Sequence, residues 1–315
     1  MTCVRIYQMD AKIVFMGSPD FALPVLEKLN KSFNVAGVVT QPDRPAGRGR
    51  KLRSPAVKVL AGELSIPVIQ PQSLTEGEAL QQLKAWEPDV IVVAAFGQIL
   101  RSDVLELPRC GCVNVHASLL PRWRGASPIQ AAILNGDAVT GITIMKMDEG
   151  LDSGPILAQR EIPISEDMTG GSLSERLAVL GAKTLVEVLP SYLSGMIAAL
   201  VQDDGKVTYA RRLKKAAGLL NLDEPAERLV RQVRAYNPWP GAFLNLRGKV
   251  LKVHEAHVHN TYDCDKGLHY IVNGSPALGT SKGLFVLDVV QPAGRKSMTG
   301  GAYLNGIKDW LQEEV

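Results

Sequence analysis

Residues 112–128 read CVNVHASLLPRWRGASP, and their pattern decides how the rest of the chain is read. Cys112, Val113 and Val115 make an apolar, largely β-branched approach, the composition of a buried strand. Asn114 and His116 interrupt it two positions apart. Residues i and i+2 of a strand project to the same face, so an amide donor and a titratable imidazole would stand side by side. The chain leaves through Ser118, Leu119, Leu120 and Pro121, where proline forbids further central pairing. The bond before Pro121 is a candidate for the cis isomer. Arg122, Trp123, Arg124 and Gly125 then form a loop with cationic, aromatic and flexible members.

Working outward, a second polar group follows in MDEGLDSG, residues 147–154, where glycines bracket Asp152 after an apolar run at 142–145. A carboxylate on a glycine-flanked loop can reach an imidazole on a neighbouring strand. Amide, imidazole and carboxylate together suit a reaction that builds negative charge on a carbonyl oxygen and moves a proton. A histidine near a strand end is more often a hydrogen-bonded structural residue. The Asn-X-His pair before a Pro-bounded, Gly-containing loop brings the two readings level. Geometry alone leaves both open.

Upstream, strand-like segments at 12–16, 35–40, 68–69 and 90–95 alternate with helix-like ones at 21–29, 56–64 and 76–86. That alternation argues for βαβ units and a mostly parallel, Rossmann-like α/β sheet. Gly17-Ser18-Pro19-Asp20 sits at the first strand end, but Gly-X-Gly-X-X-Gly is missing, so no nicotinamide cofactor is expected. A short helix is expected at 128–134 and strands at 140–147 and 155–163. A long helix follows at 172–193, opened by a Ser172/Glu175 capping box. Downstream, a helix at 225–235 precedes short strands at 242–246, 250–258, 268–272 and 284–290, separated by glycine turns. This suits a small OB-like β-barrel. The expected organisation is a first domain over 1–193, a linker over 194–212 and a second domain over 213–315.

Composition fits a globular protein of two cores: 315 residues, 46% hydrophobic and 21% charged. No apolar run approaches a membrane span. Residues 1–9 lack the apolar centre of a signal peptide and read as a flexible leader or an upstream start before Met9. Cys3, Cys110, Cys112 and Cys264 lack the paired spacing of a zinc site, so reduced cytoplasmic thiols are expected. Charge is uneven. Residues 1–205 hold 19 Lys and Arg against 22 Asp and Glu, whereas residues 206–315 hold 16 against 10. A basic rear hints at a polyanionic partner.

Two basic stretches stand out. Between Gln41 and Lys58, Arg44, Arg48, Arg50, Lys51 and Arg53 face one acid, Asp43. Pro42, Pro45, Gly47 and Gly49 are expected to keep this segment out of helix and strand. Such a run is most often a solvated surface, but it also suits an arm that folds against phosphates. Lys206, Arg211, Arg212, Lys214 and Lys215 form the second patch. His254, His257 and His259 invite a metal reading, but strand alternation separates His254 from the other two.

Residues 114–125, NVHASLLPRWRG, closely resemble the signature of the folate-dependent formyltransferases, and Asp152 falls where that family keeps its catalytic aspartate. Residues 41–49, QPDRPAGRG, and 237–241, NPWPG, resemble motifs of the branch that acts on tRNA. Four separated motifs in order make the resemblance specific, and it covers nearly the whole chain from Lys12. It implies formyl transfer from 10-formyltetrahydrofolate to the amine of methionyl-initiator tRNA, without a metal, by a monomer. Asn114, His116 and Asp152 would be catalytic. Phe96, Gln98, Ile99, Leu100, Ser118, Leu119, Leu120, Pro121 and Asp148 would line the folate pocket. Arg44, Arg48, Arg50, Lys51, Lys206, Arg212, Lys214 and Lys215 would face the tRNA, with Arg44 at the acceptor stem. Residues 264–282 and 219–222 depart from the family pattern, which leaves the RNA-facing surface of the second domain less defined. A formyltransferase for a small amine, and a tRNA-binding module with a retired site, are the rival readings.

Overall fold

A computed structural model describes residues 11–46, 51–74, 77–246, 248–261, 264–307 and 310–312. The leader at 1–9, together with Arg48 and Arg50, lies outside them. The described residues divide into two compact units, one within Met1–Gly125, Thr140–Ile162 and Ser174–Tyr209, the other within Ala126–Val139, Pro163–Leu173 and Ala210–Val315. Residues 194–209, expected to link two domains, thus sit in the first unit.

The first unit is built on β1 (Lys12–Gly17), β2 (Asn34–Val39), β3 (Arg44–Ala46), β4 (Lys51–Arg53), β5 (Val68–Ile69), β6 (Val90–Ala94), β7 (Cys112–His116), β8 (Arg124–Gly125), β9 (Val139–Lys146) and β10 (Ile156–Pro163). Seven of these form one sheet in the order β10-β9-β7-β6-β1-β2-β5. The pairs β1/β2, β1/β6, β2/β5 and β6/β7 are parallel, and β7/β9 is antiparallel. VIVVA in β6 and CVNVH in β7 are buried at every position, as strands covered on both faces must be. Helices Leu23–Ser32, Ala56–Glu63 and Glu78–Ala85 connect the parallel strands, with Pro24 in the first turn of the first.

Two local expectations need correction. The basic segment is not wholly irregular: β3 and β4 pair antiparallel with Arg44 opposite Arg53 and Pro45 opposite Leu52. A two-stranded ribbon is all edge, and edges tolerate proline. The long helix spans Gly170–Leu193 and opens two residues early. Thr169 N–H donates to Ser172 Oγ at 3.0 Å and Ser172 N–H to Thr169 Oγ1 at 3.2 Å, a reciprocal cap that needs no Glu175.

In the second unit, after β11 (Tyr209–Ala210), come β12 (Ala242–Leu246), β13 (Lys249–His259), β14 (His269–Val272), β15 (Ser275–Gly279), β16 (Leu284–Pro292) and β17 (Met298–Thr299). They form an antiparallel sheet ordered β12-β13-β16-β15-β14, with β17 on β16. Helix Ala226–Ala235 lays Leu229 and Val233 against Leu244, Leu251, Val253, Phe285 and Leu287. The segment at 264–282 holds a full hairpin rather than one strand. Asn273 (φ 48°) and Gly274 (φ 78°) supply the two positive φ angles of a tight turn between β14 and β15.

A β-bulge also corrects the histidine reading. Register slips around Glu255, and the core-facing set moves from Leu251 and Val253 to Ala256 and Val258. His254, His257 and His259 consequently share the outer face. His254 bonds Gln291 at 3.1 Å and His257 bonds Asp288. Among the described residues, no three His, Cys, Asp or Glu side chains are placed to hold a metal ion.

Candidate active site

The site forms at the carboxyl ends of β1, β6 and β7, where ligands settle in open α/β sheets. β7 directs Asn114 and His116 to one face, opposite Met145 and Thr143 of β9. Both side chains are nearly buried, at 9% and 6% exposure. Val115 points the other way, against Gly181 of the long helix, where a Cβ would come within 2.7 Å of Val115 Cγ1.

Two anchored loops complete the arrangement. The first turns at Leu120–Pro121, whose peptide bond is cis as the sequence suggested. Thr143 Oγ1 donates to Ser118 O at 2.6 Å and accepts from Leu120 N–H at 3.0 Å and Gln159 Nε2 at 2.9 Å. Ser118 Oγ donates to Arg122 O at 2.6 Å. The second loop carries Asp152 in the left-handed region, φ 50°. At Gly154 a Cβ would sit 1.9 Å from Lys146 O, so only glycine lets the chain pass β9. Asp148 Oδ1 accepts from Gly150 N–H at 3.1 Å and Ser153 Oγ at 2.8 Å, which shapes the turn internally.

These loops bring His116 and Asp152 together. His116 Nε2 meets Trp123 O at 3.0 Å, and Nδ1 faces Asp152 Oδ1 at 3.6 Å. A carbonyl only accepts, so Nε2 carries the proton, and the backbone of Trp123 fixes the tautomer. Nδ1 is then free to receive a proton beside a carboxylate. The other oxygen of that carboxylate, Oδ2, is fixed by Gly125 N–H at 2.8 Å.

The residues expected at the folate pocket divide by burial. Phe96 and Leu100 pack into the core cluster with Val14, Met16 and Ile91, leaving backbone rather than side chain at the sheet edge. Ile99 is 86% exposed. Gln98 Nε2 donates to Pro71 O at 3.0 Å. Leu120 is buried, while Leu119 and Pro121 are half-buried. Phe96 O accepts from Gln41 Nε2 at 3.2 Å, and Gln41 Oε1 accepts from Arg44 Nη2 at 3.0 Å. Asp43 receives Lys58 Nζ at 2.8 Å and Gln70 Nε2 at 2.7 Å, and these bonds, Gln70 first, hold its carboxyl below the usual range. The base of the basic ribbon is thereby tied to the Phe96 loop. Arg44, Arg212, Lys214 and Lys215 are exposed, Lys51 lies on β4, and Lys206 pairs with Asp203 at 3.2 Å.

Sequence reasoning missed the Trp123 carbonyl, Thr143 and Gln202. A backbone carbonyl has no residue signature, and the two side chains are single polar residues, one within an apolar strand and one within the expected linker.

An amide, an imidazole and a carboxylate so placed suit group transfer at a carbonyl carbon. Residues 11–189 match the formyl transferase family, and residues 212–308 match the formyl transferase C-terminal domain. The methionyl-tRNA formyltransferase of Roseiflexus sp. (strain RS-1) is 45% identical over 304 residues, covering 95% of this chain and 94% of its own. That of Halorhodospira halophila is 48% identical over 301 residues, covering 95% and 97%. Among solved structures, the methionyl-tRNA formyltransferase from Clostridium thermocellum aligns with a TM-score of 0.55 at 18% identity, over 79% of this chain and 94% of that one. A sugar 3N-formyl transferase, WlaRD, aligns at 0.65 with 17% identity, over 91% and 99%. At these identities the structural likeness concerns the fold. The chain belongs to the formyl transferase family. No helix among its described residues is long and apolar enough to cross a membrane.

Proposed function

We propose that the protein transfers the formyl group of 10-formyltetrahydrofolate to the α-amino group of methionyl-initiator tRNA, giving N-formylmethionyl-tRNA for translation initiation. Relatives of that name matching across 94% and 97% of their length support the substrate pair. The observation that carries the chemistry is His116 held between Trp123 O and Asp152.

The amine attacks the formyl carbon, a C–N bond forms and the carbonyl oxygen becomes an oxyanion. Asn114 donates its amide N–H to that oxygen, a bond worth more in the intermediate than in the substrate. The attacking nitrogen loses its proton to His116 Nδ1, and Asp152 pairs with the imidazolium. Return of the proton to N10 of the folate lets the C–N10 bond break and restores the carbonyl. Backbone at 96–100, residues 118–121 and Asp148 would seat the folate. Arg44, Arg48, Arg50 and Lys51, with Lys206, Arg212, Lys214 and Lys215, would bind phosphates. The protein would act as a cytoplasmic monomer.

The test is incubation with 10-formyltetrahydrofolate and charged initiator or elongator methionyl-tRNA. Formylation confined to the initiator supports the full reading. Folate turnover that needs a small amine instead of tRNA would move the acceptor and keep the triad. Absence of folate chemistry would overturn the proposal.

A further inference from the structure

Asp152 occupies a backbone region that side chains enter only at a cost and keep only when their surroundings impose it. The surroundings come from residues 200–208. Leu200 and Ile156 exchange both backbone hydrogen bonds, at 2.7 and 2.8 Å. Gln202, 6% exposed, follows two residues later. Its Nε2 donates to Asp152 O at 2.8 Å and to Gly154 O at 2.7 Å, one bond on either side of Ser153. Its Oε1 accepts from Arg124 Nε at 3.0 Å, and Arg124 Nη2 reaches outward to Asp204 at 3.1 Å. Thr208 closes the segment, accepting Trp123 N–H on Oγ1 at 2.9 Å and Arg124 N–H on its carbonyl at 2.9 Å.

The three hydrogen bonds of the Gln202 amide are thus directed at the two loops that frame His116. One loop carries Asp152. The other carries Trp123 O, which holds His116 Nε2, and Gly125 N–H, which holds Asp152 Oδ2. We propose that Gln202 is a positioning residue: its amide, buttressed by Arg124, sets the Asp152 loop at the height where the carboxylate meets His116 Nδ1. This rests on the reading above in which Asp152 works with His116. It makes the segment after the long helix part of the catalytic frame. Gln202 is buried and its amide bonds only protein groups, so its loss is expected to act on turnover and not on binding.

The experiment compares Gln202→Met, which keeps length and loses all three bonds, with Gln202→Glu, which keeps an acceptor for Arg124 and loses the donors to the loop. For each, kcat, the KM of both substrates and the thermal midpoint are measured, with Asp152→Ala alongside. We expect kcat to fall about 10- to 100-fold in both, with each KM within about twofold of wild type. The Glu variant separates loss of the donors from loss of packing. A kcat within about twofold of wild type, or a fall matched by rising KM and a collapsing thermal midpoint, overturns the inference. An inactive Asp152→Ala beside an active Gln202→Met sinks the role of Gln202 alone. A fully active Asp152→Ala sinks the catalytic reading itself.

Discussion

Nδ1 of His116 stands 3.6 Å from Oδ1 of Asp152, while Nε2 of the same ring is spent on the carbonyl of Trp123 at 3.0 Å. The imidazole therefore has one fixed nitrogen and one that faces a carboxylate with room to take a proton. Asp152→Asn replaces the charge with an amide of the same shape and removes the proposed partner of the imidazolium. The expected result is a kcat lower by about 10²- to 10⁴-fold with each KM changed little. Steady-state formyl transfer measures it, and turnover within tenfold of wild type would remove Asp152 from the proton path.

Asn114 is asked for a different contribution. In the proposed mechanism its amide donates to an oxygen that becomes charged only during the reaction, so Asn114→Ala should cost about 10²- to 10³-fold in kcat. Asn114→Asp should be no better, because a carboxylate offers an acceptor where a donor is needed. If the Asp variant outperformed the Ala variant, the oxyanion role would fail.

How far the sequence disclosed this site depends on where each interaction resides. The alternation in CVNVH placed Asn114 and His116 on one face, and β7 carries them so. The glycines around Asp152 announced a loop, and the steric limit at Gly154 shows why one of them is required. Gln202 lies 50 residues from Asp152, and no periodicity links a lone glutamine to a distant pair of carbonyls. The bulge at Glu255 was equally hidden: one extra residue inverts the facing of every later side chain, and local pattern cannot reveal it. The β14–β15 hairpin hid behind a stretch rich in turn residues, although Asn273-Gly274 was its signature.

Thr143 offers a stability test. Its hydroxyl is fully buried, donates once and accepts twice, tying the Ser118–Leu120 backbone to Gln159. Thr143→Val keeps the shape but leaves the Leu120 N–H without its acceptor. Urea unfolding should show a loss of about 1–3 kcal/mol. An unchanged midpoint would mean that the loop finds another acceptor.

Arg44 tests the ribbon. It is exposed, and its Nη2 bonds Gln41, whose amide holds Phe96 O. With tRNA as the partner, Arg44→Ala should raise the KM for tRNA and make the dependence of log affinity on log salt shallower by about one unit. Loss of formyl-donor binding without any change in salt slope would assign Arg44 to the folate side instead.

Alkaline pH probes two groups near the start of β7. Burial pushes the Cys112 thiol up from 9.0 to about 12, against a weaker opposing pull from Lys146. Burial likewise raises Tyr192 from 10.0 to about 12. Unfolded, these groups ionise near their ordinary values, while the folded protein retains their protons. Below about pH 9 both states are protonated at Cys112 and its contribution is fully present. As pH climbs towards about 12 the unfolded chain is progressively favoured by shedding protons, and stability falls. Cys112→Ala removes one source of that slope. The urea midpoint of the variant should start lower at pH 8, because a buried sulfur is lost, yet decline less than wild type between pH 8 and pH 10.5. Parallel declines in the two proteins would assign the alkaline limb to other groups.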